Sequence, residues 1–366
     1  MEKKDRLMSL DALRGADMMF ITGLGGLITA LCVAFGAPDC WLAHQMKHVG
    51  WEGLAQHDTI FPLFLFIAGV AWPFSCAAQQ AKGKTSGQIA LRVIRRGATL
   101  VLLGLIFNGL LRFDFAHLRF PSVLAFIGIS WTVAALLYLF VRRTAVRVGI
   151  VAALMVGYWA MLKFIVAPDA PAGALPFSYA GNFAGYVDRL LMSGHTLGTS
   201  DPEGVLSMMC GVGTGSFGVL AGELVRSTRF SGGRKALLML GYAVLLLALG
   251  FAWMPWCPVI KKLWTPTFAL FAGAYSAAAF ALFYWLCDVK MWRSWTLPFR
   301  VVGMNAITIY LGQRIVNIGG IRDFFFGGVA SCCPEAWKGV VLNAGYLAVC
   351  WVILYFLYRK NVFLKV

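Results

Sequence analysis

Residues 59–78, TIFPLFLFIAGVAWPFSCAA, form a run of 20 residues without a charged side chain. A helix needs about 20 predominantly apolar residues to cross the hydrocarbon core of a bilayer. This stretch therefore predicts a transmembrane helix.

The rest of the chain has the same character. Its 366 residues are 60% hydrophobic and only 13% charged, whereas soluble domains are about half apolar and a quarter charged. We therefore predict an all-α, polytopic transmembrane bundle that forms one domain over residues 1–366, without a soluble part. Ten segments have the required length: 15–37, 59–78, 93–111, 121–141, 145–166, 204–226, 235–254, 264–286, 297–318 and 340–358.

The distribution of Lys and Arg predicts the orientation of the ten helices. Cytoplasmic loops of membrane proteins are enriched in both residues. If the N-terminus is cytoplasmic, 22 of the 32 cations fall on the inner side, and both termini are predicted to be cytoplasmic. The inner set is Lys3, Lys4, Arg6, Arg14, Lys82, Lys84, Arg92, Arg95, Arg96, Arg142, Arg143, Arg147, Arg226, Arg229, Arg234, Lys235, Lys290, Arg293, Arg300, Arg359, Lys360 and Lys365.

The net charge of +16 has the same explanation. The cations lie in short clusters between apolar runs and do not follow one basic face, so we predict membrane lipids as partners and no nucleic acid. Two outer loops then stand out, at about 38–58 and 167–203. Connections as long as the second are usually functional or disordered, and its middle, FSYAGNFAGYVDRLLMSG, predicts a short interfacial helix. Four cysteines fall in predicted outer loops, and a disulfide between two of them is an open alternative: Cys40, Cys257, Cys332 and Cys333.

The first outer loop concentrates ionisable residues, namely His44, His48, His57 and Asp58. One interpretation is a solvated loop anchored at the headgroups by its tryptophans. A metal site is a second, since His44 and His48 would share a helix face, but Gln45 stands where the zincin motif requires Glu, and we predict no metal. General-base catalysis is the third, with a carboxylate fixing the tautomer of an imidazole.

The stretch KHVGWEGLAQHDTIFPLFLFIAG, residues 47–69, resembles the HxxWxGxxxxDxxFPxFxFxxG signature of the heparan-alpha-glucosaminide N-acetyltransferase family and its bacterial relatives. Further blocks follow in the family's order: SLDALRG at 9–15, DPEGVLSMMCGVGTGSFGVLAGE at 201–223, KKLWTPTFAL at 261–270 and GMNAITIYLGQ at 303–313. The signature matches at His48, Trp51, Gly53, Asp58, Phe61, Pro62, Phe64, Phe66 and Gly69.

The resemblance implies a specific activity. Family members use cytoplasmic acetyl-CoA to acetylate an amino sugar of glucosamine type, as in heparan sulfate, on the luminal or periplasmic side. By position, His48 is then the catalytic residue and Asp58 its partner. The sequence departs from the lysosomal protein in lacking its extra N-terminal region, as bacterial members do. We predict an integral protein of a bacterial inner membrane. The first span departs from the family pattern, because Thr22 and Gly23 stand where many members have an asparagine.

Several alternatives stay open. The acetyl group could pass directly to the amine or through an acetylated His48. The acceptor could be a hydroxyl of an envelope glycan, and a sugar or glycolipid transporter is the rival class, although we find no paired repeat of the kind that transporters carry. The oligomeric state is open as well, with a homodimer as one option.

The candidate residues at the inner side have either a structural role or a role in binding acetyl-CoA. At the inner side, Asp11 and Arg14 cap and anchor the first helix or bind the phosphates of acetyl-CoA. The Arg95 and Arg96 cluster meets either lipid headgroups or the same phosphates.

Outer and intramembrane candidates would serve the sugar. Asp201 and Glu203 either cap the sixth span or bind the acceptor, and Trp51 is predicted to contact it. Asn305 and Gln313 are polar groups within an apolar span and are expected to line an internal cavity. GTGSFG, residues 213–218, spells a nucleotide motif, but its position within a span favours close helix packing.

Overall fold

The structure is a computed structural model that describes residues 7–364. The predicted cytoplasmic cations Lys3, Lys4, Arg6 and Lys365 lie outside the described residues. In the described part the regular structure is helical, and the predicted all-α polytopic bundle is confirmed. Its helices are α1 (Met8–Met19), α2 (Gly25–Ala34), α3 (Trp41–Gln45), α4 (Gln56–Gln80), α5 (Ser86–Phe107), α6 (Val123–Phe140), α7 (Thr144–Phe164), α8 (Phe183–Leu191), α9 (Met208–Arg226), α10 (Gly232–Trp253), α11 (Pro266–Tyr284), α12 (Leu297–Gly303), α13 (Ala306–Ile315), α14 (Ile318–Ser331) and α15 (Glu335–Arg359).

Within residues 7–364, eight helical segments are long and apolar enough to cross a membrane. The chain is therefore an integral membrane protein. Each of the eight overlaps one of the ten predicted spans. They are Met8–Ala34, Gln56–Gln80, Val123–Phe140, Thr144–Phe164, Met208–Arg226, Gly232–Trp253, Pro266–Val289 and Glu335–Arg359.

The other two predicted spans differ from expectation. The helix α5 has the required length, but Arg92, Arg95 and Arg96 place three charges in it, more than the best window of any of the eight contains. The segment predicted as one span over 297–318 is broken into α12 and α13, with Met304 and Asn305 between them. A hydropathy pattern does not reveal this break, because apolar residues continue on both sides of it.

Contacts between Cα atoms divide the described chain into two compact units. The first comprises residues 7–49, 55–60 and 279–364. Here α1 and α12 approach backbone to backbone, because a Cβ atom on Gly15 would overlap the carbonyl of Phe299 and one on Gly303 would overlap that of Asp11. The first span is interrupted by a π-helical turn, Phe20–Leu24, in which Gly23 has a φ of 123° that favours glycine.

The second unit comprises residues 50–54 and 61–278. Its most buried spans are α4 and α9, and glycines let them pack closely. A Cβ atom on Gly218 would overlap the carbonyl of Phe66, and one on Gly222 would overlap that of Val70. Small residues permit such close approach of helices in membranes. The packing interpretation of GTGSFG is thus confirmed.

The long connection at 167–203 belongs to the second unit and is ordered around α8. The predicted short helix is confirmed, and it begins where the Asn182 side chain accepts a hydrogen bond from the backbone N–H of Gly185. Arg189, on α8, donates two hydrogen bonds to the carboxylate of Asp169, at 2.9 and 2.7 Å. This pair ties the start of the connection to its helix.

Candidate functional site

The first unit brings His48 and Asp58 together. The Nδ1 atom of His48 lies 2.7 Å from Oδ1 of Asp58. The side chain of Asp58 is only 1% exposed, whereas that of His48 is 56% exposed. The imidazole is thus presented at the surface of the first unit, and its carboxylate partner is enclosed.

The start of α4 explains why a carboxylate is stable in this buried position. Asp58 is the third residue of that helix, where backbone N–H groups and the helix dipole favour negative charge. Its Oδ2 atom accepts hydrogen bonds from the backbone N–H groups of Val49 and Ala55, at 3.3 and 3.2 Å. Both carboxylate oxygens are therefore bound, which offsets the cost of burying the charge.

Two neighbours in the same loop shape the surroundings of the pair. The ring centroid of His57 lies 4.5 Å from that of His48, with the ring planes tilted by 59°. Gln45 supports the same loop through the start of α4. Its Oε1 atom accepts a hydrogen bond of 2.8 Å from the backbone N–H of Gln56 and so caps α4. His44 is exposed on the short helix α3. Gln45 therefore has a structural role where the zincin motif would place its glutamate.

The geometry of the pair determines its chemistry. An ionised carboxylate only accepts hydrogen bonds, so Asp58 selects the tautomer of His48 that carries its proton on Nδ1. That tautomer has its lone pair on Nε2. When Nε2 takes up a proton, the adjacent carboxylate stabilises the imidazolium. The pair is therefore suited to remove a proton from a nucleophile.

Trp51, three residues after His48 in the chain, belongs to the second unit. Its Nε1–H group donates a hydrogen bond of 2.9 Å to the carbonyl of Phe177, and its ring meets Tyr179 edge to face at 5.3 Å. The Nζ atom of Lys262 lies 5.9 Å from the same ring. The predicted contact of Trp51 with an acceptor stays a prediction, and the structure adds Tyr179 and Lys262 as its neighbours.

One interpretation expected Asp201 and Glu203 to cap the sixth span. They do not, because α9 begins later, at Met208. Both carboxylates instead bind Arg119, which sequence analysis missed. Arg119 donates to Asp201 at 2.8 and 2.5 Å and also contacts Glu203. The sequence offers only a weak signal for this pairing. Buried acids require a partner, but nothing in the sequence pattern shows which cation, some 80 residues away, supplies it.

The electrostatics of this cluster follow from burial and pairing. Burial opposes ionisation of Asp201, but the hydrogen bonds and charge of Arg119 outweigh it and lower the pKa of Asp201. For Glu203 burial dominates and raises the pKa. Nearby on α8, burial raises the pKa of Asp188 to about 7. Its Oδ1 atom accepts a 2.8 Å hydrogen bond from the backbone of Val205, while Oδ2 has no partner among the described residues.

The residues predicted to bind acetyl-CoA lie in different units. In the first unit, a guanidinium nitrogen of Arg14 lies 3.9 Å from Oδ1 of Asp11, one turn earlier on α1. In the second, Arg95 is exposed and the guanidinium of Arg96 lies 4.3 Å from the ring centroid of Trp131. Their predicted contact with the phosphates stays a prediction.

Asn305 and Gln313 lie in the first unit. Asn305 occupies the break between α12 and α13, is 1% exposed, and has no partner for Nδ2 within the described residues. Gln313 accepts a hydrogen bond of 3.2 Å from the hydroxyl of Tyr346. Asn305 is thus a buried polar residue at a helix break. The expectation that Asn305 and Gln313 line an internal cavity stays a prediction.

Cysteines and metal ligands complete the inventory of reactive groups. All nine cysteines of the sequence are free thiols in the structure, and Cys257 is buried. Residues 7–364 contain no cluster of three or more His, Cys, Asp or Glu side chains arranged to hold a metal ion. The prediction that the protein needs no metal stays untested.

Fold and site together define a polytopic helical membrane protein with an exposed histidine held by a buried aspartate. No known family model matches the chain. It is similar to heparan-alpha-glucosaminide N-acetyltransferase of Homo sapiens, with 24% identity over an alignment that covers 99% of this chain and 60% of the human protein. The protein of the same name from Mus musculus is 24% identical, with 99% and 61% covered. These matches support a distant family relationship, and the chain spans about three-fifths of the length of these relatives.

Proposed function

We propose that this protein is a transmembrane acetyltransferase that moves an acetyl group from acetyl-CoA to the amine of an amino sugar, with His48 as the general base. The observation that carries the proposal is the 2.7 Å contact between His48 and the buried Asp58. The distant relationship to proteins named for glucosaminide N-acetylation supports the reaction class.

The proposed reaction uses the tautomer that Asp58 selects. The amine nitrogen of the sugar attacks the thioester carbonyl carbon while Nε2 of His48 takes up one amine proton. The C–S bond then breaks, the acetyl group remains on nitrogen as an amide, and the CoA thiolate receives the proton from His48. General-base catalysis of this kind contributes roughly 100- to 10,000-fold to the rate.

The proposed direction of transfer follows the distribution of charge. The cation-rich loops would face the cytoplasm and acetyl-CoA, and the loop that carries His48 would face the opposite side and the sugar. On the donor side we assign Arg14 to a CoA phosphate, because guanidinium groups bind phosphate through paired hydrogen bonds. Arg95 and Arg96, in the second unit, are the alternative candidates for phosphate binding. Asp11, 3.9 Å from Arg14, would orient it.

The experiment is an acetyl-transfer assay with the purified full chain. Acetyl-CoA labelled in the acetyl group is incubated with glucosamine, with N,N-dimethylglucosamine, whose amine has no proton to lose, and with glucose as the hydroxyl-only control. We expect label in an amide product from glucosamine alone. Label in an ester from glucose would replace N-acetylation by O-acetylation, and no transfer to any acceptor would contradict the proposal.

A further inference from the structure

The second unit contains a large apolar cavity that is lined by none of the residues proposed above for catalysis, donor binding or acceptor binding. Its volume is about 690 Å³, and it lies among α6, α7, α9 and α10. Its walls include Leu137, Val151, Ala152, Phe217, Leu246 and Leu249. The volume falls within the range of roughly 300–1,000 Å³ that is usual for small-molecule sites.

The cavity is elongated along the helices. On α7 its lining extends from Arg147 to Val156 and on α10 from Tyr242 to Trp253. At 1.5 Å per residue these stretches are about 14 and 17 Å long. One leaflet of a bilayer contributes about half of the 30 Å hydrocarbon core. The cavity is therefore as deep as a single acyl chain is long.

The two ends of the cavity differ. At one end three tryptophans meet: the indole N–H of Trp159 donates a hydrogen bond of 3.1 Å to the carbonyl of Trp256, and its ring lies 6.0 Å from that of Trp253. Tryptophan is enriched where a helix reaches the membrane interface. This aromatic end closes the cavity in the direction of the long connection.

The opposite end is cationic. Arg147, which lines the cavity, binds the carboxylate of Glu223 at 2.6 and 2.7 Å and lies 4.8 Å from the ring centroid of Tyr138. This pair shows that the start of α7 and the end of α9 share one end of the unit, and only five residues separate the end of α9 from the start of α10. Four exposed arginines stand at these helix ends: Arg142, Arg143, Arg226 and Arg234. Unlike Arg147, none of the four forms an ion pair with a carboxylate among residues 7–364, so their charge is not compensated locally.

We propose that this cavity is a binding site for one anionic phospholipid. An acyl chain lies between α7 and α10 with its end near Trp253, and the phosphate lies among the four arginines. The side chains that line an empty apolar space lack van der Waals partners on one side, and a bound acyl chain supplies those contacts. Juxtamembrane arginines attract anionic headgroups, and this charge distinguishes the site from an ordinary lipid-facing groove.

The test is native mass spectrometry of the purified full chain, delipidated and then titrated with phosphatidylglycerol or phosphatidylcholine of equal chain length. We expect one phosphatidylglycerol to bind at least about tenfold more tightly than phosphatidylcholine, and replacement of Arg142 and Arg143 by Gln to remove most of that preference. Equal affinity for the two lipids would overturn the proposal.

A matched pair of variants locates the acyl chain. Ala152 and its neighbour Ala153 are both exposed on α7, but only Ala152 lines the cavity. Ala152→Trp places an indole within the cavity, in the path of the acyl chain, and should abolish binding of the phosphatidylglycerol, while Ala153→Trp should retain it. Size-exclusion profiles verify that both variants fold. Retention of the lipid by Ala152→Trp, or its equal loss from both variants, would contradict the assigned position.

Discussion

The imidazole of His48 and the carboxylate of Asp58 are 2.7 Å apart, yet the first side chain is half exposed and the second is enclosed. This asymmetry suits a base that must meet a substrate while its partner stays fixed. Asp58 gains its position from the start of α4 and from two backbone N–H groups, so it both builds the loop and orients the ring.

The dual role of Asp58 predicts different outcomes for two substitutions. Asp58→Asn keeps an oxygen for the N–H groups of Val49 and Ala55, whereas Asp58→Ala leaves them without an acceptor. We expect Asp58→Ala to lower the free energy of unfolding by about 1–3 kcal/mol more than Asp58→Asn, the cost of unsatisfied buried donors. Thermal unfolding of the detergent-solubilised variants measures this. Equal stability would show that the carboxylate does not support the loop.

The Arg119 cluster predicts a large loss of stability when its cation is removed. Arg119→Ala would leave Asp201 and Glu203 buried without a counter-charge, which typically costs about 3–5 kcal/mol. The matched control is Arg112→Ala, an exposed arginine in the same connection, which we expect to be neutral within about 0.5 kcal/mol. Thermal unfolding compares them, and an equally mild effect of Arg119→Ala would mean that the cluster does not hold the connection in place.

Asp188 predicts a dependence of stability on pH. Its pKa in the folded protein is about 7, above the value of about 3.9 for an unfolded aspartate. The folded state thus binds an extra proton between these values, so its stabilising effect is complete below pH 4 and is lost as the pH rises through 7. The melting temperature should fall by a few degrees from pH 5 to pH 8.

The control for this pH effect is Asp188→Asn, which resembles the protonated carboxyl and still accepts from Val205. It should melt with a smaller change over the same interval. An identical pH dependence in both proteins would assign the effect to other groups.

The orientation of the spans is testable with impermeant thiol reagents. In a background in which Cys40, Cys332 and Cys333 are replaced by Ser, we expect Lys47→Cys and Leu175→Cys to be labelled from outside intact cells and Lys82→Cys to be labelled only after lysis. All three positions are exposed in the structure, so differences report sidedness. External labelling of position 82 would reverse the proposed direction of transfer.

Sequence patterns predicted those features that depend on local composition. Apolar length located eight spans, and the glycines of α9 indicated close helix packing, because hydropathy and small residues act along a single helix. The structure then identified α4 as the packing partner. The spacing between His48 and Asp58 could be recognised from a resemblance to a known family, and the structure then supplied the contact.

Features that depend on distant partners escaped prediction. Arg119 meets Asp201 and Glu203 across more than 80 residues, and such a pairing leaves no periodic trace. The break at Asn305 was missed because the residues on both sides are apolar. The enclosure of Asp58 by Val49 and Ala55 depends on the conformation of the loop, which the histidine-rich sequence alone does not specify.

The measurement closest to the central proposal is the turnover of purified His48→Ala, with His44→Ala as the matched control and acetyl-CoA binding measured for both. We predict that His48→Ala loses acetyl transfer to glucosamine by roughly 100-fold or more while acetyl-CoA binding persists. His44→Ala, an exposed histidine in the same loop, should retain most of its activity. Near-normal turnover by folded His48→Ala would contradict the role of His48 as the base.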